Sequence, residues 1–341
     1  MKNKLPTKII TLTEENFKEA LKIASEIISN GGIAVIPTET VYGIAASIYN
    51  SDAIQKIFEA KNRPMDNPLI VHISDPKQLN DLTDEINETS RKLIQQFWPG
   101  PLTLIFKAKE GVDKKVTGGL NTIAVRMPDN AFTLKLIEMT GPLAAPSANI
   151  SGKPSGTEIS DIFEELNGKV DVIVDEGIVR CGLESTVINT LINPPVILRK
   201  GTISKEMIEK VVGVVTFSSP GEGTISPGTK YKHYAPGVKT TYIKKISSPD
   251  HFNLLMGTIS KDKKIGIIHF GLDIEGSYKN IKIENLSGNP EYASKFFYRT
   301  LRKMEKSVDE IIILPLPEHH GLWISLEDRI ERGSDKIIDV I

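Results

Sequence analysis

The chain has 341 residues, and its 42 Lys and Arg residues against 43 Asp and Glu residues leave a formal net charge of −1. This balance excludes a uniformly basic nucleic-acid-coating protein and an acidic disordered tail. At roughly 150 residues per domain the length predicts about two domains. The single cysteine, Cys181, excludes an intramolecular disulfide. No apolar run approaches the roughly 20 residues of a membrane helix, so we expect a cytoplasmic protein that does not bind a membrane.

Helical and strand patterns alternate through the first two hundred residues. The apolar spacing from Phe17 to Ile28 is typical of one face of a helix, which Gly31 and Gly32 end. Strands are predicted at 33–36, 69–73, 102–106, 123–125, 143–145, 170–174, 186–188 and 196–198, and further helices at 51–60, 88–97, 131–139 and 159–166. Strands interleaved with helices predict an α/β fold in which at least part of the sheet is parallel.

The composition changes at 216–237, which is rich in Gly, Pro, Ser and Thr and is typical of a linker. Its second half, SPGTKYKHYAP, is unusual for a passive tether because two Lys, one His and two Tyr lie close together. The α/β alternation then resumes, with strands near 240–243, 265–269 and 310–314, a helix between the first two of them, and a helix whose apolar face runs from Ala293 to Met304. We therefore predict a first domain at 1–215, a linker at 216–238 and a second α/β domain at 239–341.

Several well-known catalytic motifs are missing from the sequence. It contains no GxxxxGK[ST] phosphate loop, no GxGxxG, no HExxH and no GxSxG. His319 and His320 would need further ligands to form a zinc site, and a surface turn is the commoner explanation. Cys181 has no His near it in the sequence, so a buried, unreactive thiol is commoner than a nucleophile.

Polar residues follow several predicted strands, the place where ligands commonly bind in open α/β sheets. The strand at 33–36 runs into Thr38 and Glu39, which indicates either ligand contacts or a turn in which a Thr caps the next element. His72 lies within an apolar strand, where a satisfied core histidine is the commoner case. Arg126 ends another strand and suits either a carboxylate or phosphate ligand, or an acidic neighbour within the protein.

The loop 146–155 has small residues, hydroxyls and accessible backbone N–H groups, which suit a phosphate or a nucleobase. Cations recur beside strand ends and Gly/Pro turns, namely Lys61, Arg63, Arg126, Arg199, Lys230, Lys232 and His233. Lys61 and Arg63 follow a helix, so the helix dipole alone would also favour them. A pocket built from these cations would suit a nucleoside triphosphate, with hydroxyls from Thr38, Ser147 and Ser185 for a small polar co-substrate.

Seven motifs occur in order: PTETVYG (37–43), KNRP (61–64), NPLIVH (67–72), WPGPLT (98–103), AVRMP (124–128), APSAN (145–149) and ESTV (184–187). Over about residues 10–210 this set resembles the YrdC-like family, the threonylcarbamoyl-AMP synthases. SPGTKYKHYAP resembles the linker of the two-domain form. The resemblance implies an α/β fold: a twisted mixed sheet around a large concave, positively lined cavity, plus a smaller C-terminal Rossmann-like domain.

The resemblance also implies an activity. L-threonine, bicarbonate and ATP would give threonylcarbamoyl-AMP and pyrophosphate, making the chain a nucleotidyltransferase. A separate tRNA threonylcarbamoyl transfer machinery would pass the group to adenosine 37 of tRNA, and tRNA binding by this chain would be secondary. Mg²⁺ would come with ATP, without protein ligands, and no organic cofactor is expected.

The site residues follow from the same resemblance. L-threonine would contact Thr38, His72, Arg126 and Ser185. ATP would contact Lys61, Arg63, Thr117, Ser147, Asn149, Ser155 and Arg199, with Tyr231 and His233 of the linker folding over the nucleotide as a lid. No covalent or acid–base residue is expected, and Lys61 and Arg63 would stabilise the transferring phosphate. The alternatives are an RNA-binding module and a related carbamoyl-handling enzyme of the same fold.

Overall fold

The computed structural model describes residues 6–219, 233–247, 262–274 and 279–340. The chain divides into two compact units. The first unit covers residues 1–151 and 155–231, and the second covers residues 152–154 and 232–341. The domain limits at 215 and 239 stay a prediction.

Seven α-helices and one 3-10 helix (Pro76–Asp81) lie among the described residues of the first unit. The α-helices are α1 (Phe17–Ser29), α2 (Ser51–Lys61), α3 (Glu88–Phe97), α4 (Lys114–Thr117), α5 (Ala131–Thr140), α6 (Ile159–Leu166) and α7 (Lys205–Val212). Side-chain oxygens of Asn50, Asn87, Asn130 and Ser204 accept backbone N–H groups at the first turns of α2, α3, α5 and α7. These caps satisfy N–H groups that have no partner within the helix, and so fix where the helices begin.

Eleven strands of the described first unit form one mixed sheet. They are β1 (Lys8–Thr11), β2 (Ala34–Ile36), β3 (Gly43–Ser47), β4 (Ile70–His72), β5 (Leu102–Lys107), β6 (Thr122–Arg126), β7 (Leu143–Ala144), β8 (Val172–Asp175), β9 (Thr186–Asn189), β10 (Val196–Arg199) and β11 (Thr216–Phe217). Their order is β1-β8-β2-β3-β7-β4-β6-β5-β9-β10-β11. This confirms the expected mixed α/β architecture.

Both faces of this sheet are covered. On β2, Ala34 and Ile36 pack into an apolar cluster with residues of α1 and α5, whereas Val35 packs into a second cluster with residues of α2 and α3. A strand buried on both faces is apolar throughout, which explains the continuous apolar run that predicted β2. Each Val, Leu or Ile side chain buried in this way contributes about 1.5–3 kcal/mol.

The strand directions decide which polar residues meet. Strands β4, β6 and β10 run in one direction, and β2 and β7 run in the opposite direction. The carboxyl ends of β4, β6 and β10 therefore share one edge of the sheet with the start of β9. The loops after β2 and β7 leave from the other edge. Candidate site residues therefore follow strands at both edges of the sheet, because the sheet is mixed.

The second unit contains a smaller, wholly parallel sheet. Its described strands are β12 (Lys239–Ile243), β13 (Ile265–His269), β14 (Ile281–Asn285), β15 (Glu310–Ile313) and β16 (Lys336–Ile338), in the order β14-β13-β15-β12-β16. Two helices, α8 (Pro290–Glu305) and α9 (Leu322–Gly333), accompany it. The expected second α/β domain is thus confirmed. The helix predicted between β12 and β13 falls largely on 248–261, outside the described residues. Within the described ranges, no helix combines the length and the apolar character needed to cross a membrane.

Candidate functional site

A buried arginine at the end of β6 joins the polar residues that follow β2. Nη1 of Arg126 donates to Oγ1 of Thr40 (3.0 Å), and Nε donates to the carbonyl of Gly100 (3.2 Å). Nη2 lies 2.5 Å from Oε2 of Glu39. The hydroxyls of Thr40 and Thr38 are 2.9 Å apart. Of the two alternatives for Arg126, the acidic neighbour is therefore present in this structure.

This contact spans a considerable part of the sheet. Between β2 and β6 lie three other strands, so in a flat sheet the two strands would be about 19 Å apart. The segment 37–42 is a connection between two paired strands, because β3 begins at Gly43 and runs antiparallel to β2. Sequence reasoning missed β3. The contact of Thr40 with Arg126 therefore joins residues that the strand order alone would place far apart.

A second buried arginine lies at the same edge of the sheet, at the end of β10. Nη2 of Arg199 donates to Oγ of Ser185 (2.9 Å), and its Nε donates to the carbonyl of Ser185 (3.0 Å). The hydroxyl of Ser185 is also 2.7 Å from that of Thr103. Thr103 holds a predicted site residue, but sequence reasoning assigned it no role. Thr40 holds Arg126, and the sequence indicated Thr40 only as one of the two hydroxyls that follow β2.

His72 lies within reach of the charges of both arginines. It ends β4, where it pairs in register with Arg126. Burial, followed by the positive charges of Arg126 and Arg199, lowers the pKa of His72 to about 3. Its Nδ1 is 3.3 Å from the carbonyl of Ile70. His72 is therefore neutral at physiological pH, and can exchange hydrogen bonds without adding charge.

A second contact group forms around the end of α2. Nζ of Lys61 is buried and donates to the carbonyls of Ser147 (2.5 Å) and Asn149 (2.7 Å) in the loop after β7. The Ser147 hydroxyl donates to Oδ1 of Asn149 at 2.6 Å. Three of the predicted ATP contacts are thus mutually joined. These two hydrogen bonds from Lys61 hold the loop after β7 close to the end of α2.

Three other residues of the first unit, Arg63, Thr117 and Ser155, are also predicted to contact ATP. Arg63 donates to Oδ1 of Asn67 (2.7 Å) and to the carbonyl of Pro68 (2.8 Å). Thr117 is buried at the end of α4. Ser155 donates to Oε1 of Glu184 at 2.5 Å, next to Ser185 in the chain. Their contacts place Arg63 against the loop that leads into β4, and Ser155 against the residue before Ser185.

Gly201 is another residue that sequence reasoning did not assign. A Cβ atom at this position would lie 2.3 Å from the backbone nitrogen of Thr186 and 2.4 Å from the carbonyl carbon of Ser185. No side chain fits such a close approach of two backbone segments. Gly201 therefore lets the chain after Arg199 pack directly on the start of β9. Glu39 and Glu184 at least lie within the PTETVYG and ESTV motifs, which is the signal that points to them.

The predicted lid residues belong to the second unit or lie outside the described residues. Tyr231 is outside them. His233 is half-buried, and its ring is 5.6 Å from that of Tyr234. Tyr234 is buried, stacks on Tyr298 at 5.6 Å, and lies 5.0 Å from the guanidinium of Arg329. Tyr234 lies within the predicted linker, and its contacts fix this end of the linker in the second unit.

The weaker sequence candidates find other surroundings. His319 is 3.2 Å from Glu327, and His320 is 2.9 Å from Glu318, both at exposed positions. No group of three or more His, Cys, Asp or Glu side chains suited to a metal ion occurs in the part of the chain that the structure describes. Burial and the nearby charge of Glu39 raise the pKa of Cys181, which disfavours the reactive thiolate.

Comparisons with known proteins agree with this architecture. The family model Sua5_yciO_yrdC, described as "Telomere recombination", matches residues 26–201, and a model described as "Threonylcarbamoyl-AMP synthase, C-terminal domain" matches residues 203–334. The threonylcarbamoyl-AMP synthase of Pyrococcus abyssi is 38% identical over 96% of this chain and 98% of its own length. That of Bacillus subtilis is 38% identical over 91% of this chain and 92% of its own length.

A solved structure extends the likeness to three dimensions. The crystal structure of P. abyssi Sua5 complexed with L-threonine has a TM-score of 0.89 and 38% identity, covering 98% of this chain and 99% of that chain. The likeness thus covers both units and both family models. The chain belongs to the threonylcarbamoyl-AMP synthase family.

Proposed function

We propose that this chain is a nucleotidyltransferase that converts L-threonine, bicarbonate and ATP into threonylcarbamoyl-AMP and pyrophosphate. Its family membership and the L-threonine bound to the P. abyssi relative support this function. The observation that carries it is the buried polar group around Arg126, which contacts Thr40 and pairs in register with His72. Buried cations beside hydroxyls and a neutral imidazole suit a small, polar, anionic group.

In this proposal threonine lies at the residues around Arg126 and ATP at those around Lys61, and the hydrogen bond from Arg199 to Ser185 joins the two sites. Arg126 binds the carboxylate of threonine, while Thr38, His72 and Ser185 contact the rest of the amino acid. Lys61, Arg63 and Arg199 face the triphosphate. Thr117, Ser147, Asn149 and Ser155 complete the nucleotide site, and Tyr231 and His233 cover it as a lid. Lys61 and Ser147 are already joined through a hydrogen bond, which supports placing them at one ligand.

The chemistry needs positioning and charge neutralisation. The threonine amine attacks bicarbonate to give a carbamate and water, or attacks CO₂ to give the carbamate and a proton that passes to solvent. A carbamate oxygen then attacks the α-phosphorus of ATP while pyrophosphate leaves. Holding the two reactants in line and neutralising the transferring phosphate supply most of such a rate enhancement. Lys61 and Arg63 offer positive charge at the phosphates. Mg²⁺ prefers oxygen ligands, so it would be held by phosphate oxygens and water, without a protein cage.

The product is a mixed anhydride and needs an acceptor. We propose that a separate transfer machinery moves the threonylcarbamoyl group to adenosine 37 of tRNA, with tRNA binding by this chain secondary and the whole sequence of reactions cytoplasmic. The formal net charge of −1 supports a small-molecule site over a broad nucleic-acid surface.

The test is pyrophosphate release from ATP by the purified chain, measured in the full mixture and with threonine or bicarbonate left out. We expect release only when ATP, threonine and bicarbonate are all present. Replacing threonine by serine or valine tests whether the site reads the side chain. Release that continues without threonine would contradict the proposal, and salt-sensitive tRNA binding without any turnover would favour the RNA-binding alternative.

A further inference from the structure

Glu39 carries a buried carboxylate whose hydrogen-bonding capacity is unused. The residue is 3% exposed, and neither Oε1 nor Oε2 has a hydrogen-bond partner. Nη2 of Arg126 is close to Oε2, at 2.5 Å, yet this nitrogen also lacks a hydrogen bond of acceptable geometry. Buried carboxylates normally accept hydrogen bonds, because they have lost those of water. The pair therefore has donors and acceptors left for a ligand.

The backbone holds Glu39 firmly in this position. The N–H of Cys181 donates to the carbonyl of Glu39 (2.7 Å), and the N–H of Gly182 donates to the carbonyl of Thr40 (3.0 Å). Nη1 of Arg126 is meanwhile held by Thr40. The unused oxygens of Glu39 are thus not the result of a loosely placed loop, since the chain is fixed on both sides of the side chain.

The charges around Glu39 restrict what such a ligand can be. If Arg126 binds a substrate carboxylate, that carboxylate lies beside the carboxylate of Glu39, and the two negative charges repel each other in a buried site. A positive group on the same ligand removes this repulsion. The zwitterion of an α-amino acid has such a group, because its ammonium and carboxylate are attached to one carbon atom. The pair of opposite charges therefore matches the head group of threonine.

We propose that Glu39 binds the ammonium group of threonine and then accepts one of its protons. This inference rests on the proposed function. On binding, the substrate carboxylate pairs with Arg126 and the ammonium pairs with Glu39, so that the site stays neutral. An N–H bond then breaks and an O–H bond forms on Glu39. The resulting neutral amine has a lone pair, which the ammonium lacks, and attacks the carbon of bicarbonate with loss of water, or that of CO₂ with release of a second proton to solvent. Glu39 returns its own proton to solvent after the product leaves.

The test compares threonine with (2S,3R)-2,3-dihydroxybutanoate, which has a hydroxyl in place of the ammonium. Isothermal titration calorimetry measures both ligands on the full chain and on the variants Glu39→Gln, Glu39→Asp and Glu138→Gln. Glu138 is an exposed residue paired with Lys135, and is the matched control. Thermal unfolding reports whether each variant is folded.

We expect Glu39→Gln to weaken threonine between about tenfold and a hundredfold, the range for a hydrogen bond to a charged group. The affinity for dihydroxybutanoate should rise rather than fall, because this ligand makes no ion pair with Glu39 and Glu39→Gln removes the repulsion between the two carboxylates. Glu39→Asp keeps the charge but shortens its reach, so it should lie between the wild type and Glu39→Gln. At saturating threonine, pyrophosphate release by Glu39→Gln should also be slower, because the proton acceptor is gone.

Two outcomes would overturn the inference: an unchanged affinity of Glu39→Gln for threonine, or an equal loss for both ligands. The second outcome would mean that Glu39 only orients Arg126. If Glu39→Gln does not fold, the ratio of the two affinities in Glu39→Asp decides. Failure of the wild-type chain to bind threonine would instead overturn the proposed function, before any variant is considered.

Discussion

The two units of this protein bury charged side chains in different surroundings. In the first unit, Arg126 and Arg199 end the strands β6 and β10 at one edge of the mixed sheet. Arg126 contacts the hydroxyl of Thr40, which follows β2, and Arg199 contacts that of Ser185, which precedes β9. In the second unit, the buried cations lie on the helices α8 and α9 and contact other groups of the same unit. Arg302 donates to the carbonyl of Pro154, and Arg329 contacts Asp328 and the ring of Tyr234. The buried arginines of the first unit thus meet side-chain hydroxyls, whereas those of the second unit meet a backbone carbonyl, a carboxylate and an aromatic ring.

The second unit shows the alternative in detail. Tyr234 has a φ of 66°, a conformation that few residues other than glycine adopt. Stacking on Tyr298 and the cation–π contact with Arg329 hold it there. The cost of the backbone conformation is offset by these ring contacts. A buried residue of the first unit can therefore be compared with a residue of the same type in the second unit.

The largest contrast is expected between two glycines. Gly201→Ala places a Cβ within 2.4 Å of backbone atoms of Ser185 and Thr186, whereas Gly266→Ala in β13 places one 2.8 Å from the flexible Sδ of Met304. Backbone cannot move aside as a methionine can. Gly201→Ala should lower the free energy of unfolding by about 3 kcal/mol and Gly266→Ala by about 1 kcal/mol. Urea unfolding measures both.

Threonine binding gives a second comparison between the two glycine variants. Because Arg199 holds Ser185 just beside Gly201, Gly201→Ala should also abolish threonine binding, while Gly266→Ala should leave it within about threefold of the wild type. Equal losses of stability in the two variants, or unaltered threonine binding by a folded Gly201→Ala, would show that the close approach at Gly201 is not what shapes the site.

The second contrast concerns two buried histidines. Burial and the charges of Arg126 and Arg199 lower the pKa of His72 to about 3, and burial alone lowers that of His269 at the end of β13. Below pH 6.5, the usual value for an unfolded histidine, the unfolded chain binds a proton that folded His72 does not. Stability is therefore unaffected by His72 above that pH, and is lost as the pH falls toward 3.

The expected size of this loss is about 1.4 kcal/mol per pH unit from His72. Urea unfolding between pH 6.5 and 4.5 should show a shallower pH dependence for His72→Gln than for the wild type. His269→Gln, the matched control, should change the slope less, because no arginine charge adds to the effect of burial there. The same slope in wild type and His72→Gln would mean that His72 takes up its proton in the folded state at an ordinary pH.

Much of the fold could be predicted where local pattern and packing agree. The limits of α3 and α6 were predicted residue for residue, since each has an apolar stripe bounded by polar residues. Strand β3 was missed because Gly43–Ser47 is made largely of small residues that do not favour strands on their own. It forms because β2 and β7 pair with it on both sides. Such pairing depends on residues far away in the sequence.

The candidate site was predictable in its residue types more than in its contacts. Arg126, Arg199 and Lys61 could be selected because cations beside strand or helix ends are informative. Their partners could not be selected, because strand direction decides which loops meet, and the sequence does not reveal that β4 and β7 are antiparallel. The pairing of Glu39 with Arg126 also crosses several strands. The residues next to Glu39 and to Arg126 in the sequence give no indication of this pairing.

We propose that the residues around Arg126 bind threonine and that those around Lys61 bind ATP. Calorimetric titration of threonine and of ATP into Arg126→Ala and Lys61→Ala tests it most directly. Arg126→Ala should weaken threonine about a hundredfold and ATP by less than about threefold, and Lys61→Ala should do the reverse. If each variant weakens both ligands equally, the division of the site into a threonine group and an ATP group is wrong.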